Sequence, residues 1–201
     1  MVQDLGYVGQ DGVPRRGQPC PATVPRMILW LNGPFGVGKS TCARLLLQGD
    51  SQARQYNPER LGWLIRRTVG RVRPGDFQDR PVWRRGVVHG AHRAARRTPT
   101  LVVPMTLLRA DYADEILGGL RAAGHEVVHV TLHASHEALV DRIENDTDDP
   151  GARSWRLDQA SRYFEVADRL AALGPQVDTE GRAAHEVAAA VVTAAERTRS
   201  A

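Results

Sequence analysis

The chain has 201 residues, 42% of them hydrophobic and 25% charged, with a formal net charge of +4. That length suits one globular domain, and that balance excludes a collagen-like or wholly disordered chain. Cys20 and Cys42 are too few for a disulfide framework, and no apolar run approaches the roughly 20 residues of a spanning helix, so a cytoplasmic setting is expected.

Residues 1–26 are rich in Gly, Pro, Gln and Arg and lack the anatomy of a signal peptide. A flexible extension is expected there, with the folded domain over 27–201. Met27-Ile28-Leu29-Trp30-Leu31 is a short apolar run, read as a buried parallel strand. Gly33-Pro34-Phe35-Gly36-Val37-Gly38-Lys39-Ser40 follows and matches the phosphate-loop pattern G-x-x-x-x-G-K-[ST]. Ser40 to Gln48, through Thr41, reads as a helix ending near Gly49. Strand, glycine loop and helix are the context this motif needs. Of 27 lysine and arginine residues, only Lys39 is lysine. An ammonium is a compact point charge on a flexible stem, and it fits a tight turn of backbone N–H groups where a planar guanidinium does not.

A short second strand is expected over 53–57, and Pro58-Glu59 opens a helix through Val69. Arg73-Pro74-Gly75-Asp76 reads as a turn. A helix is expected over 82–97, a third strand over 100–105 with Pro104 at its end, and a helix over 111–123 closed by Gly124. A fourth strand follows over 126–132, then a helix capped by Ser135. Residues 145–153 are polar and read as a loop. A helix over 155–173, a short strand over 176–178 and an alanine-rich helix over 182–197 complete the chain. Repeated strand–helix units predict an α/β three-layer sandwich: a five-stranded parallel sheet with helices on both faces. Ligands then lie at the carboxyl ends of the strands, where Asn57, Thr106, Ala134 and Asp178 share a rim with Lys39.

Arginines cluster at Arg66, Arg67, Arg71 and Arg73, and at Arg84, Arg85, Arg93, Arg96 and Arg97. Aromatics are not interleaved with them as stacking platforms, so a solvated basic surface is expected and a nucleic-acid partner is not. His129 and His133 share a strand face but lie about 13 Å apart at strand rise, too far for one metal ion.

The architecture resembles the small, nucleoside-monophosphate-kinase-like P-loop kinases, such as shikimate kinase and chloramphenicol phosphotransferase. A closer resemblance runs along residues 27–195. Ile28-Leu29-Trp30-Leu31-Asn32-Gly33, Pro58-Glu59 with Gly62, Asp76-Phe77-Gln78 with Pro81 and Trp83-Arg84, Leu101-Val102-Val103-Pro104-Met105-Thr106, Thr131-Leu132 with Ala134-Ser135, and Ser154-Trp155 with Gln159 and Arg162 together resemble the bacterial tunicamycin-resistance ATP-binding protein family. The resemblance implies ATP and Mg²⁺ as cofactors and a nucleoside antibiotic as the small-molecule substrate. That drug would be either phosphorylated or bound and sequestered. A nucleic-acid-associated ATPase is a third reading. Membrane association is left open by the resemblance. The closing helix, with Val187, Val191 and Val192, is expected to dock on the sheet rather than on a bilayer.

Site residues follow from that frame. Gly33, Pro34, Phe35, Gly36, Val37, Gly38, Lys39, Ser40 and Thr41 would cradle the phosphates, with Lys39 on the β and γ phosphates and the Ser40 hydroxyl on Mg²⁺. A lid around 142–162 would bring arginines over the γ-phosphate, with Arg142 and Arg162 the chosen pair. Kinases of this type carry an aspartate after the second strand, but Asn57 stands there, and an amide cannot accept a proton at neutral pH. Asp76 is the best remaining carboxylate, with Glu59 and Asp79 less favoured. Asn57, Glu59, Phe77, Gln78, Trp83, Arg84 and Thr106 are candidate substrate contacts, although Phe77, Trp83, Met105 and Leu108 are also of core type.

Overall fold

A computed structural model of the protein describes residues 26–59, 77–147 and 150–200. Strand β1 (Met27–Asn32) lies at the centre of a five-stranded sheet, between β3 (Thr100–Pro104) and β4 (Glu126–His133). Strand β2 (Arg54–Gln55) pairs outside β3, and β5 (Gln176–Asp178) outside β4. Every pairing is parallel, as expected, and the register sets Leu31 beside Pro104, Asn32 beside Thr131 and His133 beside Asp178. All carboxyl ends therefore meet at one rim. Pro104 stands at the last position of β3, where its missing N–H costs least.

Burial on both faces explains the unbroken apolar run of β1. Leu29 and Leu31 pack in a core with residues of α1 (Lys39–Gly49) and α6 (Ala184–Ser200). Ile28 and Trp30 pack on the other side, with α2 (Pro81–Ala95) and α3 (Ala110–Ala122). Along α2, Trp83, Val87, Ala91 and Ala95 recur every four residues and are all fully buried. That stripe is what the 3.6-residue period places on one face. Two further helices, α4 (His136–Glu144) and α5 (Arg153–Ala171), pack on each other near the rim. Ser135 caps α4, its hydroxyl accepting from the Ala138 N–H at 3.2 Å.

Differences from the sequence reading are local. Strand β2 is two residues long rather than five. Helix ends shift by one to three residues. The helix expected after Glu59, the 73–76 turn with Asp76, the arginines from Arg66 to Arg73, and the leading extension up to residue 25 lie outside the described residues. Helix α6 docks through Val187, Ala188, Val191 and Ala195, whereas Val192 turns outward with 42% exposure. One step of 100° separates Val191 from Val192, which is enough to carry the second off the docking face. Arg85, Arg93, Arg96 and Arg97 are exposed. Among the described residues, no helix is long and apolar enough to cross a membrane. Cys42 is buried, and burial pushes its thiol up to about 11.

Candidate active site

Asn32 at the end of β1 sets the start of the phosphate loop. Fully buried, it accepts at Oδ1 from the N–H groups of Gly33 and Leu107, both at 2.8 Å, and donates from Nδ2 to the Leu107 carbonyl at 3.0 Å. These bonds hold the loop to the segment that follows β3. Gly33 adopts φ 132°, and a Cβ there would run into the Leu132 carbonyl. Only glycine allows the chain to leave the strand in that direction. Thr106 Oγ1 donates to the Gly33 carbonyl at 2.8 Å. Gly38, at φ 95°, precedes the first turn of α1. The N–H groups of that turn are thus free for an anion.

Lys39 curls back over this cradle. Its Nζ donates to the carbonyls of Gly33 (2.9 Å) and Pro34 (2.7 Å) and lies 5.2 Å from the centre of the Phe35 ring. Burial pushes the Lys39 ammonium down to about 7, and the Glu59 carboxylate opposes that shift. Such a group gains most from a polyphosphate, whose negative charge would restore its proton. Ser40 and Thr41 are exposed at the helix start. Among the described residues, no cluster of three His, Cys, Asp or Glu side chains could hold a metal unaided. A magnesium ion here would rest on Ser40, phosphate oxygens and water, which suits this hydrated ion.

Beside the loop opens a cleft of about 680 Å³. Phe35, Glu59, Gln78, Met105, Thr106 and Leu108 line it from the loop and strand ends; Trp155, Arg156 and Arg162 line it from α5. Phe35 and Trp155 meet edge to face at 4.8 Å, joining the phosphate loop to α5.

Sequence candidates separate at this point. Lys39, Glu59, Gln78, Thr106 and Arg162 are brought together around the loop and cleft. Arg162 pairs with Asp158 at 3.3 Å on an exposed helix face. Arg142 is elsewhere: it donates to Thr179 Oγ1 at 2.9 Å and to the Thr179 carbonyl at 3.0 Å, tying α4 to the end of β5. Its place in the lid pair is corrected accordingly, because two neutral acceptors beside it hold the guanidinium away from the cleft. Trp83 is also corrected: the stripe on α2 turns it into the core, fully buried. Arg84 is 8% exposed and braces the structure, donating to the Gln78 carbonyl at 2.7 Å and pairing with Glu115. Asn57 does not line the cleft; its Oδ1 accepts from the Glu59 N–H at 2.8 Å. Asp76 lies outside the described residues, as does the Phe77 side chain. Asp79, a less favoured carboxylate in the sequence reading, also lines the cleft. So do Arg109, Tyr112 and Asp158, which were missed: the first two lie beyond the motif segments, and Asp158 sits at an unspecified position between Trp155 and Gln159. Their nearness to the rim after β3, or to α5, is the only sequence signal they carry.

A protein-family profile described as an AAA domain matches residues 28–167. The chain belongs to this AAA-domain family. Among solved structures, this AAA-domain protein is similar to the tunicamycin resistance protein of Deinococcus radiodurans, with 25% identity and a TM-score of 0.66 over 84% of this chain and 94% of that one. It is also similar to a gluconokinase from Sinorhizobium meliloti 1021, with 21% identity and a TM-score of 0.60 over 88% and 97% of the two chains. The Mycobacterium tuberculosis APS kinase in complex with AMPPNP and APS matches at 17% identity, with a TM-score of 0.56 over 86% and 99%. No curated protein matches at a significant level. The fold is that of the P-loop kinases.

Proposed function

We propose that this protein binds ATP with Mg²⁺ in the phosphate loop and transfers the terminal phosphoryl group to a hydroxyl of tunicamycin or a related nucleoside antibiotic. One observation carries the reading: the cleft opens directly beside the phosphate loop, with Phe35 belonging to both and Thr106, on the cleft wall, bonded to the loop. Two bound molecules could meet there. The likeness to the Deinococcus radiodurans tunicamycin resistance protein supports the choice of acceptor.

In this reading the backbone N–H groups from Gly33 to Thr41, with the Lys39 ammonium, hold the β and γ phosphates. Ser40 would hold the metal ion, which when bound neutralises phosphate charge. Arg162 approaches the transferring group from α5 as the nucleotide closes the cleft. The acceptor oxygen forms its bond to the γ-phosphorus as the bond to the bridging oxygen breaks; ADP leaves, and the hydroxyl proton passes to a carboxylate. Asp76 is the carboxylate proposed for it, with Glu59, Phe77, Gln78 and Thr106 around the acceptor. The loose transition state of phosphoryl transfer asks more for positioning than for a strong base.

A second reading, sequestration of the drug without chemistry, is favoured by Asn57. Its amide cannot take a proton, and its oxygen already serves the Glu59 N–H. Mass spectrometry of tunicamycin incubated with protein, ATP and Mg²⁺ separates the two. A gain of one phosphoryl mass over many turnovers supports transfer; tight binding of unchanged drug supports sequestration. Full protection of cells by both Lys39→Ala and Lys39→Arg would exclude both.

A further inference from the structure

We propose that Asp79 determines acceptor specificity: its carboxylate, oriented by Tyr112, receives hydrogen-bond donors of a neutral hydroxyl- or amide-bearing moiety. The assignment rests on the functional reading above, because it concerns the acceptor bound in the same cleft.

Asp79 ends a 3₁₀ turn, Phe77–Asp79, that is fastened on several sides. Gln78 Nε2 donates to the Thr106 carbonyl at 3.0 Å, and the Gln78 carbonyl accepts from Arg84 Nη1 at 2.7 Å. Tyr112 then fixes the carboxylate itself, its hydroxyl donating to Asp79 Oδ1 at 2.8 Å. Tyr112 in turn is held by two cations. The guanidinium of Arg84 lies 4.1 Å from its ring centre, and that of Arg109 lies 4.2 Å away. Each of these arginines is neutralised by its own acid, Arg84 by Glu115 and Arg109 by Asp111. Among the described residues Asp79 makes no close ion pair, although its charge acts on Arg109 through space. Among the described residues, Oδ1 is bonded to Tyr112 and Oδ2 to nothing, while Asp79 lines the cleft.

Other carboxylates of the cleft differ. Asp158 is paired with Arg162 at 3.3 Å, and Glu59 acts on Lys39. Glu165 also lines the cleft, with no donor to fix it among the described residues. Of the described cleft carboxylates, Asp79 alone combines a fixed orientation from a neutral donor with a free oxygen. A carboxylate so placed accepts hydrogen bonds and repels anions, so it selects hydroxyl and N–H donors over phosphorylated or carboxylated acceptors. Its supporting bonds belong to Tyr112 and Arg84, the kind of outer layer that keeps a recognition group in place.

The test is titration of tunicamycin into the full chain carrying a non-hydrolysable ATP analogue, with wild type, Asp79→Asn, Tyr112→Phe and the double variant. Asp79→Asn should weaken tunicamycin binding about tenfold to hundredfold, the range for a hydrogen bond to a charged group. Affinity for the ATP analogue should stay within about twofold, since the phosphate cradle makes no bond to Asp79. Tyr112→Phe keeps the ring and should weaken the drug by a smaller factor, adding nothing in the Asp79→Asn background, because the hydroxyl it removes is bonded to that carboxylate. Unchanged drug affinity in Asp79→Asn overturns the assignment while leaving the functional reading intact. Equal losses of drug affinity, analogue affinity and melting temperature would reduce Asp79 to a structural residue and also overturn it. Failure of wild type to take up tunicamycin while it binds the analogue would sink the proposed acceptor, and Asp79's role with it.

Discussion

Lys39 ties nucleotide affinity to pH. In the nucleotide-free protein its Nζ rests on two neutral carbonyls, and burial holds its ammonium near 7 rather than at the ordinary 10.5. A polyphosphate in the cradle surrounds the same nitrogen with negative charge and returns it toward its ordinary value. The free site is the one with the lowered value, so protons are taken up on binding wherever the pH exceeds about 7. Near pH 7 about half the free sites carry the proton, and binding takes up about 0.5 proton; near pH 8 about one-tenth carry it, and uptake rises to about 0.9. Affinity should fall about fivefold between these values, and about tenfold again by pH 9. The nucleotide's own phosphates are essentially fully ionised above about pH 8 and do not mask the effect. Calorimetry in buffers of different ionisation heat reads the proton count directly. Heats independent of buffer at pH ~8, with affinity flat to pH ~9, would refute the reasoning and show that Lys39 enters binding already charged.

His129 should make the fold acid-sensitive. It is 2% exposed, neither ring nitrogen has a partner among the described residues, and burial, helped by the Arg121 charge, pushes it down to about 4 from 6.5. Its folded value lies below its unfolded one, so stability is complete above about 6.5 and is lost as the pH falls toward 4. At about pH 5 the loss is about 2 kcal/mol. Urea unfolding at two pH values should show a steeper loss in wild type than in His129→Leu; equal losses would mean that the imidazole is hydrated. Gly33→Ala should cost about 2–4 kcal/mol in unfolding and abolish nucleotide binding, since φ 132° and the Leu132 carbonyl leave no room for a methyl group. An unchanged midpoint would contradict it. Trp83→Ala should cost about 3–5 kcal/mol while folded molecules still bind nucleotide. Trp155→Ala, at a residue 47% exposed on the cleft, should cost less than about 1 kcal/mol and weaken the acceptor instead. The opposite pattern would reverse their assignments.

Legibility followed how far each residue's choice is dictated by backbone alone. Gly33, Gly38 and Lys39 answer to the geometry of a phosphate, which fixes residue types and spacing together, so the loop could be read directly. Strand β1 was equally legible, because burial on both faces leaves no polar position before Asn32. Side-chain partners were not legible. Arg142 stood beside a polar loop and read as a lid residue, yet the end of β5, more than thirty residues on, supplied Thr179 to hold it. Trp83 belonged to a motif-like segment, but its facing was decided by the phase of α2. Asp79 stood only as a less favoured carboxylate behind Asp76; only the fold brings Tyr112, from the start of α3, to its side.

One chain of hydrogen bonds links the two halves of the site. Thr106 Oγ1 grips the Gly33 carbonyl of the phosphate loop, and the Thr106 carbonyl accepts from Gln78, whose neighbour is Asp79. Asn32 fastens the same segment at Leu107, one residue further along. The cradle for one molecule and the proposed recognition group for the other are thus both anchored to residues 106–107. Three of these links end on backbone carbonyls, which cannot rotate away as a side chain can. Transfer between two bound molecules depends on holding the reacting atoms at near-contact distance, where a displacement of an ångström is costly. Placing both supports on one short stretch after β3 meets that demand without requiring either to be placed by a loop of its own.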